Sequence, residues 1–123
     1  MSKIFLMLGA LAAGIAVMSG AFGVHAMAER VTPARLQTFE TAVRYQMYHA
    51  LALLIVGWAL TLWPFWSFRA AGSLFVTGIF LFSGSLYLLV LTDTAWLGAV
   101  TPLGGVAFIL GWLFFAWGVW QQV

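Results

Sequence analysis

The chain has 123 residues, of which 64% are hydrophobic and 7% are charged, and its mean hydropathy is +1.06. Because ordinary soluble domains have roughly 25% charged residues, this composition excludes a water-soluble fold and indicates a polytopic membrane protein. The absence of cysteine excludes disulfides, thiolate nucleophiles and cysteine-based metal sites. Five basic and three acidic residues give a net charge of +2, which is too sparse for a nucleic-acid-binding surface.

The first predicted element is an uncharged apolar segment, residues 4–26. A helix needs roughly 20 residues to cross the hydrocarbon core of a bilayer, so this segment is long enough to span it. Lys3 and the sequence Val24-His25-Ala26 also fit a secretory signal peptide with its cleavage site. The apolar stretch is, however, longer than the roughly 7 to 15 residues of a signal peptide's apolar region. We therefore expect a retained membrane helix, with a signal peptide as the alternative.

Small residues recur at every fourth position of this segment, at Ala12, Ala16 and Gly20, and Ser19 lies beside them. Residues with this spacing share one helix face, and their small side chains let a second helix approach closely. We expect the face to pack against another helix. The alternative is that it clears space for a ligand near His25.

The second predicted helix begins at Thr32-Pro33, because threonine caps a helix start and proline suits the first helical position. A helix over residues 33–62 would be about 45 Å long, which exceeds the bilayer core, so residues 33–42 are expected at the interface. Glu40 and Arg44 are four residues apart in the favourable order for an ion pair.

Two further membrane helices follow an aromatic turn over residues 63–69, in which Pro64 ends the second helix. The third is predicted over residues 70–91. The fourth is predicted over residues 101–120, starting at a second threonine-proline pair. The sequence therefore predicts an all-α protein with one four-helix transmembrane domain built from two hairpins.

A weak internal repeat relates the two hairpins. The first and third helices share the pattern Gly-Ile-x-x-x-Ser-Gly, at residues 14–20 and 78–84. The second and fourth share Ile-x-Gly-Trp with a further tryptophan five positions on, at residues 55–63 and 109–117. The matched helices are two apart, so the repeat would have the same sense in the membrane. Duplication and convergent small-residue packing both remain open.

Polar side chains concentrate at one end of this predicted bundle, where the first and third helices end and the other two begin. Lipid offers them no hydrogen-bond partners, so neighbouring helices must supply these. This side has three arginines and the side of the termini has two basic residues, so the count of basic residues does not assign either side to the cytoplasm. The candidate polar cluster consists of His25, Arg44, Tyr45, Gln46, Tyr48, His49, Tyr87 and Asp93.

Four segments resemble the small membrane proteins catalogued as domain of unknown function 423. They are Gly-Ala-Phe-Gly-Val-His at residues 20–25, Tyr-Gln-Met-Tyr-His-Ala-Leu at 45–51, Leu-Phe-Ser-Gly-Ser-Leu-Tyr at 81–87, and Leu-Gly-Ala-Val-Thr-Pro-Leu-Gly-Gly at 97–105. That family includes the animal transmembrane protein 256, and its first motif more often reads Gly-Ala-His, so Val24 departs from it. The resemblance covers nearly the whole chain and implies four membrane helices without an established activity.

Three functional interpretations follow from the residues. The leading one is a non-enzymatic structural or accessory subunit, in which His25 and His49 are neutral and bond neighbouring helices. The alternatives are a haem or metal site using the two histidines, and passage of a proton or small solute. We expect no enzymatic activity, because paired carboxylates, a Ser-His-acid set and a phosphate loop are all missing from the sequence.

The expected surroundings follow from the same interpretation. We expect an integral protein of a bacterial inner (plasma) membrane, with the lipid bilayer as its main contact and without a bound cofactor. Four short helices with glycine-rich faces bury little surface in one copy, so we also expect a homo-oligomer or a larger membrane complex.

Overall fold

The computed structural model describes residues 1–122 as an all-α structure with four long helices. These are α1 (Ser2–Ala28), α2 (Pro33–Leu62), α3 (Trp66–Thr92) and α4 (Thr101–Trp120), and a 3₁₀ turn over Ala95–Ala99 precedes α4. Each of the four is long and apolar enough to cross a membrane. The prediction of an all-α membrane protein with four transmembrane helices is confirmed.

The helix starts show which local signals the chain uses. At α2 the hydroxyl of Thr32 accepts a hydrogen bond from the backbone N–H of Arg35 at 3.2 Å, as a helix cap does. The aromatic turn is shorter than predicted, because α3 begins at Trp66 directly after Pro64 and Phe65. The second threonine-proline pair does not cap α4, since Thr101 already lies in the helix.

Neighbouring helices in the chain are also neighbours in space: α1 packs along α2, α2 against α3, and α3 against α4. The core is aromatic at its centre, where Phe68 and Phe75 are completely buried. Two glycines of the internal repeat allow this close packing. A Cβ atom added at Gly57 would lie 2.6 Å from Leu6, and one added at Gly111 would lie 2.7 Å from Phe75.

The small face of α1 packs on α2, as the spacing predicted. Ala16 is 1% exposed, and a Cβ atom on Gly20 would lie 3.3 Å from Val43 of α2. Gly9 extends the face, because a Cβ atom there would lie 2.8 Å from the carbonyl oxygen of Ala50. The face therefore serves helix packing along the apolar half of α1.

Both α1 and α3 contain one wide turn of π-helix, over Ser19–Gly23 and Ile79–Gly84. The first wide turn begins at the shared Ser-Gly pair, at Ser19-Gly20, and the second ends at its counterpart, Ser83-Gly84. A π-turn inserts one residue into an α-helix and redirects the following side chains, and such turns are frequent at functional sites. Each hairpin therefore contains a π-turn in its first helix, but the two turns coincide in the repeat only at the Ser-Gly pair.

Candidate functional site

The structure divides the candidate polar cluster into a buried and an exposed part. Gln46 and His49 are 4% and 5% exposed, and Tyr87 is partly buried beside Gln46. The other five side chains lie at the surface of the bundle. These are His25, Arg44, Tyr45, Tyr48 and Asp93. Of these, Tyr45 adjoins the buried part, because its ring stacks on Phe82 with centroids 4.5 Å apart and lies 6.3 Å from the ring of His49.

Gln46 joins three helices through its side-chain amide. Its Nε2 donates a hydrogen bond to the carbonyl oxygen of Ala12 on α1 at 2.8 Å. Its Oε1 accepts one from the hydroxyl of Tyr87 on α3 at 2.7 Å. A third bond between α3 and α2 lies close by, where the hydroxyl of Ser83 donates to the carbonyl oxygen of Ala42 at 2.8 Å. Ser83 lies in the π-turn of α3, so that turn bonds α2 at a position four residues before Gln46.

His49 connects α2 to α4 instead. Its Nδ1 lies 2.7 Å from the carbonyl oxygen of Tyr45, and its Nε2 lies 3.1 Å from the indole nitrogen of Trp112. A carbonyl can only accept and an indole N–H can only donate, so Nδ1 carries the proton and Nε2 supplies the lone pair. The ring also stacks on Phe108, with centroids 3.5 Å apart and planes 7° from parallel. These contacts select a single neutral tautomer of His49.

This geometry leaves His49 poorly suited to ligate a metal or haem. Both ring nitrogens already bond groups of the chain, and a metal would need the lone pair that Trp112 uses. His25 lies on the exposed surface near the end of α1. Within residues 1–122, no group of three or more His, Cys, Asp or Glu side chains is placed to hold a metal ion. The buried histidine is thus positioned to bond helices together.

The charged side chains at this end pair differently from the prediction. The expected pair of Glu40 and Arg44 is wrong: Arg44 donates to the hydroxyl of Thr41 at 3.2 Å. In the described part of the chain the one ion pair joins Arg35 and Asp93 at 3.2 Å, with side chains 31% and 83% exposed. Arg44 bonds within its own helix, and the ion pair forms where Asp93 at the end of α3 meets the first turn of α2.

Sequence reasoning missed Trp112 as the hydrogen-bond partner of the buried His49. The internal repeat singled out Gly111-Trp112, but only as a packing pattern. It also missed the bond between the hydroxyls of Ser85 and Thr101 at 2.7 Å, which joins α3 to α4. Both contacts link residues far apart in the chain, so no local pattern indicates them.

Comparisons with known proteins agree with this architecture. Residues 19–105 match the family described as "Protein of unknown function (DUF423)". A UPF0382 membrane protein of Staphylococcus aureus (strain bovine RF122 / ET3-1) is 49% identical over 111 residues, which cover 90% of each chain. The UPF0382 membrane protein YwdK of Bacillus subtilis (strain 168) is 49% identical, over 90% of this chain and 91% of its own. No solved structure matches the chain.

Proposed function

Because the chain belongs to the DUF423 family, whose bacterial relatives are membrane proteins, we propose that it is a non-enzymatic structural or accessory subunit of a membrane assembly. Membership and the four spanning helices make it an integral protein of a bacterial membrane in contact with the lipid bilayer. The proposal concerns the role of the four-helix bundle in that membrane.

One observation carries the proposal: the buried polar side chains are all hydrogen-bonded to other groups of the chain in the part that the structure describes. In residues 1–122, every buried side-chain nitrogen and oxygen has a hydrogen-bond partner within the chain. Metal binding needs a lone pair that is free to coordinate the ion, and catalysis needs a polar group that can engage the reactant. Gln46, His49 and Tyr87 are engaged in bonds between helices, so they support the bundle itself.

The outer helices supply a surface for a partner. In the most apolar window of each span, 17% of the first and 22% of the fourth is buried, against 44% and 39% for the inner two. On α4 the side chains of Leu103, Ile109 and Leu113 are each at least 60% exposed. These side chains are not packed within the bundle, so this apolar face of α4 is the surface on which we place a second copy or another subunit.

Crosslinking from this face tests the proposal. The chain has no cysteine, so Leu103→Cys introduces a single thiol that can carry a photoreactive maleimide in native membranes. We expect a heavier adduct that contains a second copy or another membrane protein. Leu88→Cys is the matched control, because Leu88 is 52% exposed on the inner helix α3. Monomer alone from Leu103→Cys, or equal adducts from both variants, would contradict the proposal.

A further inference from the structure

A cavity of about 370 Å³ lies between α1 and α3, over the surface of α2. Its walls are apolar, and polar atoms come only from Gln46 and Tyr87 at one end. Leu11 and Phe80 border it and are 61% and 73% exposed, so its mouth opens sideways toward lipid. An apolar pocket of roughly 300 to 1,000 Å³ with a few polar groups at one point is the usual form of a small-molecule site.

The chain closes this cavity at both ends. Toward the chain termini, the ring of Phe5 on α1 packs on Gly72 of α3, where an added Cβ atom would lie 2.6 Å from it. Toward the polar end, the bonds from Gln46 to Ala12 and from Tyr87 to Gln46 cross the gap. The cavity is therefore a slot that contacts between helices close at both ends and that opens on one side.

The length of the slot decides what can occupy it. The α1 wall runs from Leu8 to Ile15 and the α3 wall from Val76 to Tyr87, which is about 10 to 16 Å at 1.5 Å per residue. A helix of a partner or a second copy needs about 30 Å of continuous groove and a width of about 10 Å. The closed ends prevent a helix from lying in the slot, whereas a single flexible hydrocarbon chain can enter from the side.

The polarity of the slot matches an amphiphile held in the membrane. Tyr87 lies five residues, or about 8 Å, before the end of α3 at Thr92, so the polar end is nearer the interface. The amide nitrogen of Gln46 has two hydrogens, of which one bonds Ala12, and the second can donate to a carbonyl oxygen. A fatty ester has this acceptor at one end and an apolar chain beyond it.

We propose that this slot binds one acyl chain of a phospholipid. The ester carbonyl accepts a hydrogen bond from Gln46, and the chain runs between α1 and α3 toward Phe5. The lipid fills the space between α1 and α3 and completes the contact between these two helices. This inference is independent of the proposed subunit role, since it concerns a ligand of the single bundle.

A paired glycine substitution tests it. Gly84 lines the slot, and the nearest atom to an added Cβ is the carbonyl oxygen of Ile79 at 3.8 Å. Gly84→Leu therefore fills the slot. Gly14→Leu is the matched control, because Gly14 lies outside the slot on α1 and nothing lies within 4 Å of an added Cβ. Each variant is purified in mild detergent, checked for helix content by circular dichroism, and analysed by native mass spectrometry and lipid extraction.

We expect the unmodified chain and Gly14→Leu to retain about one phospholipid each, and Gly84→Leu to retain at least fivefold less. Should Gly84→Leu lose its helical structure, Leu11→Trp at the mouth of the slot and Met7→Trp outside it decide by the same measure, because both positions are exposed on α1. Equal retention within a folded pair, or no phospholipid on the unmodified chain, would overturn the inference. A retained molecule without an acyl chain, or a bound polypeptide lost with the slot-filling variant, would overturn it as well.

Discussion

Gln46 and His49 lie one helical turn apart on α2 and are equally buried, yet they hold different parts of the bundle together. Gln46 bonds α1 and α3, and its partner Tyr87 is itself partly buried. His49 bonds α4 through Trp112, which is 43% exposed. Equal burial of two polar residues therefore does not mean an equal contribution to the stability of the bundle. The number of helices that each one joins, and whether its partner can find another bond, decide its contribution.

The largest effect is expected from Gln46→Ala. The change removes both bonds between helices, leaves the hydroxyl of Tyr87 without its acceptor and opens a gap beside α1. We expect the free energy of unfolding to fall by about 2 to 3 kcal/mol, from the cavity and from two membrane hydrogen bonds. Titration with sodium dodecyl sulfate, followed by circular dichroism, measures it.

Gln37→Ala is the control for that experiment, because Gln37 is an exposed glutamine on the same helix. Its effect should lie within about 0.5 kcal/mol of zero, as for most surface substitutions. If the two variants were destabilised equally, the three-helix role of Gln46 would be refuted.

A smaller effect is expected from His49→Gln. Glutamine can still accept a hydrogen bond from the indole of Trp112, but the stacking on Phe108 is lost. We expect a loss of about 1 kcal/mol in the free energy of unfolding, measured by the same titration. His49→Leu also removes the acceptor and should lose more.

His49→Gln also separates the helix-bonding role of His49 from metal or haem binding and from proton passage. Visible absorption and metal content should be equal in His49→Gln and the unmodified protein. Liposomes that contain either protein should show no more proton flux than empty liposomes. A haem band or stoichiometric metal that His49→Gln removes would establish a ligand role, and flux that the substitution abolishes would establish a proton path.

The smallest effect is expected from Asp93→Asn. The ion pair with Arg35 joins the same two helices as the bond between Gln46 and Tyr87, but its carboxylate is 83% exposed. Exposed ion pairs contribute about 0 to 1 kcal/mol and are screened by salt. We expect a loss below about 0.5 kcal/mol that disappears at high ionic strength. A larger loss that persisted in salt would mean that the end of α3 is held more tightly than its exposure indicates.

Several features of the fold could be predicted from the sequence because they depend on local properties. The four spanning helices follow from the length and composition of apolar segments, which must satisfy their own backbone groups in lipid. The start of α2 at Pro33 follows from the cap residue Thr32, whose hydroxyl bonds the backbone N–H of Arg35 three residues on. The small face of α1 follows from a spacing of four residues. Each of these signals lies within one helix.

The tertiary structure alone decided which polar groups meet. Tyr87, Ala12 and Trp112 are 34 to 63 residues from their partners on α2, and the pairings depend on how the helices pack. Glu40 and Arg44 have the right spacing for an ion pair, but Arg44 bonds Thr41, and the ion pair at this end joins Arg35 to Asp93, which the end of α3 places there. Hydrogen bonds and ion pairs form only within about 3 to 4 Å, and only the packed bundle brings groups on different helices that close.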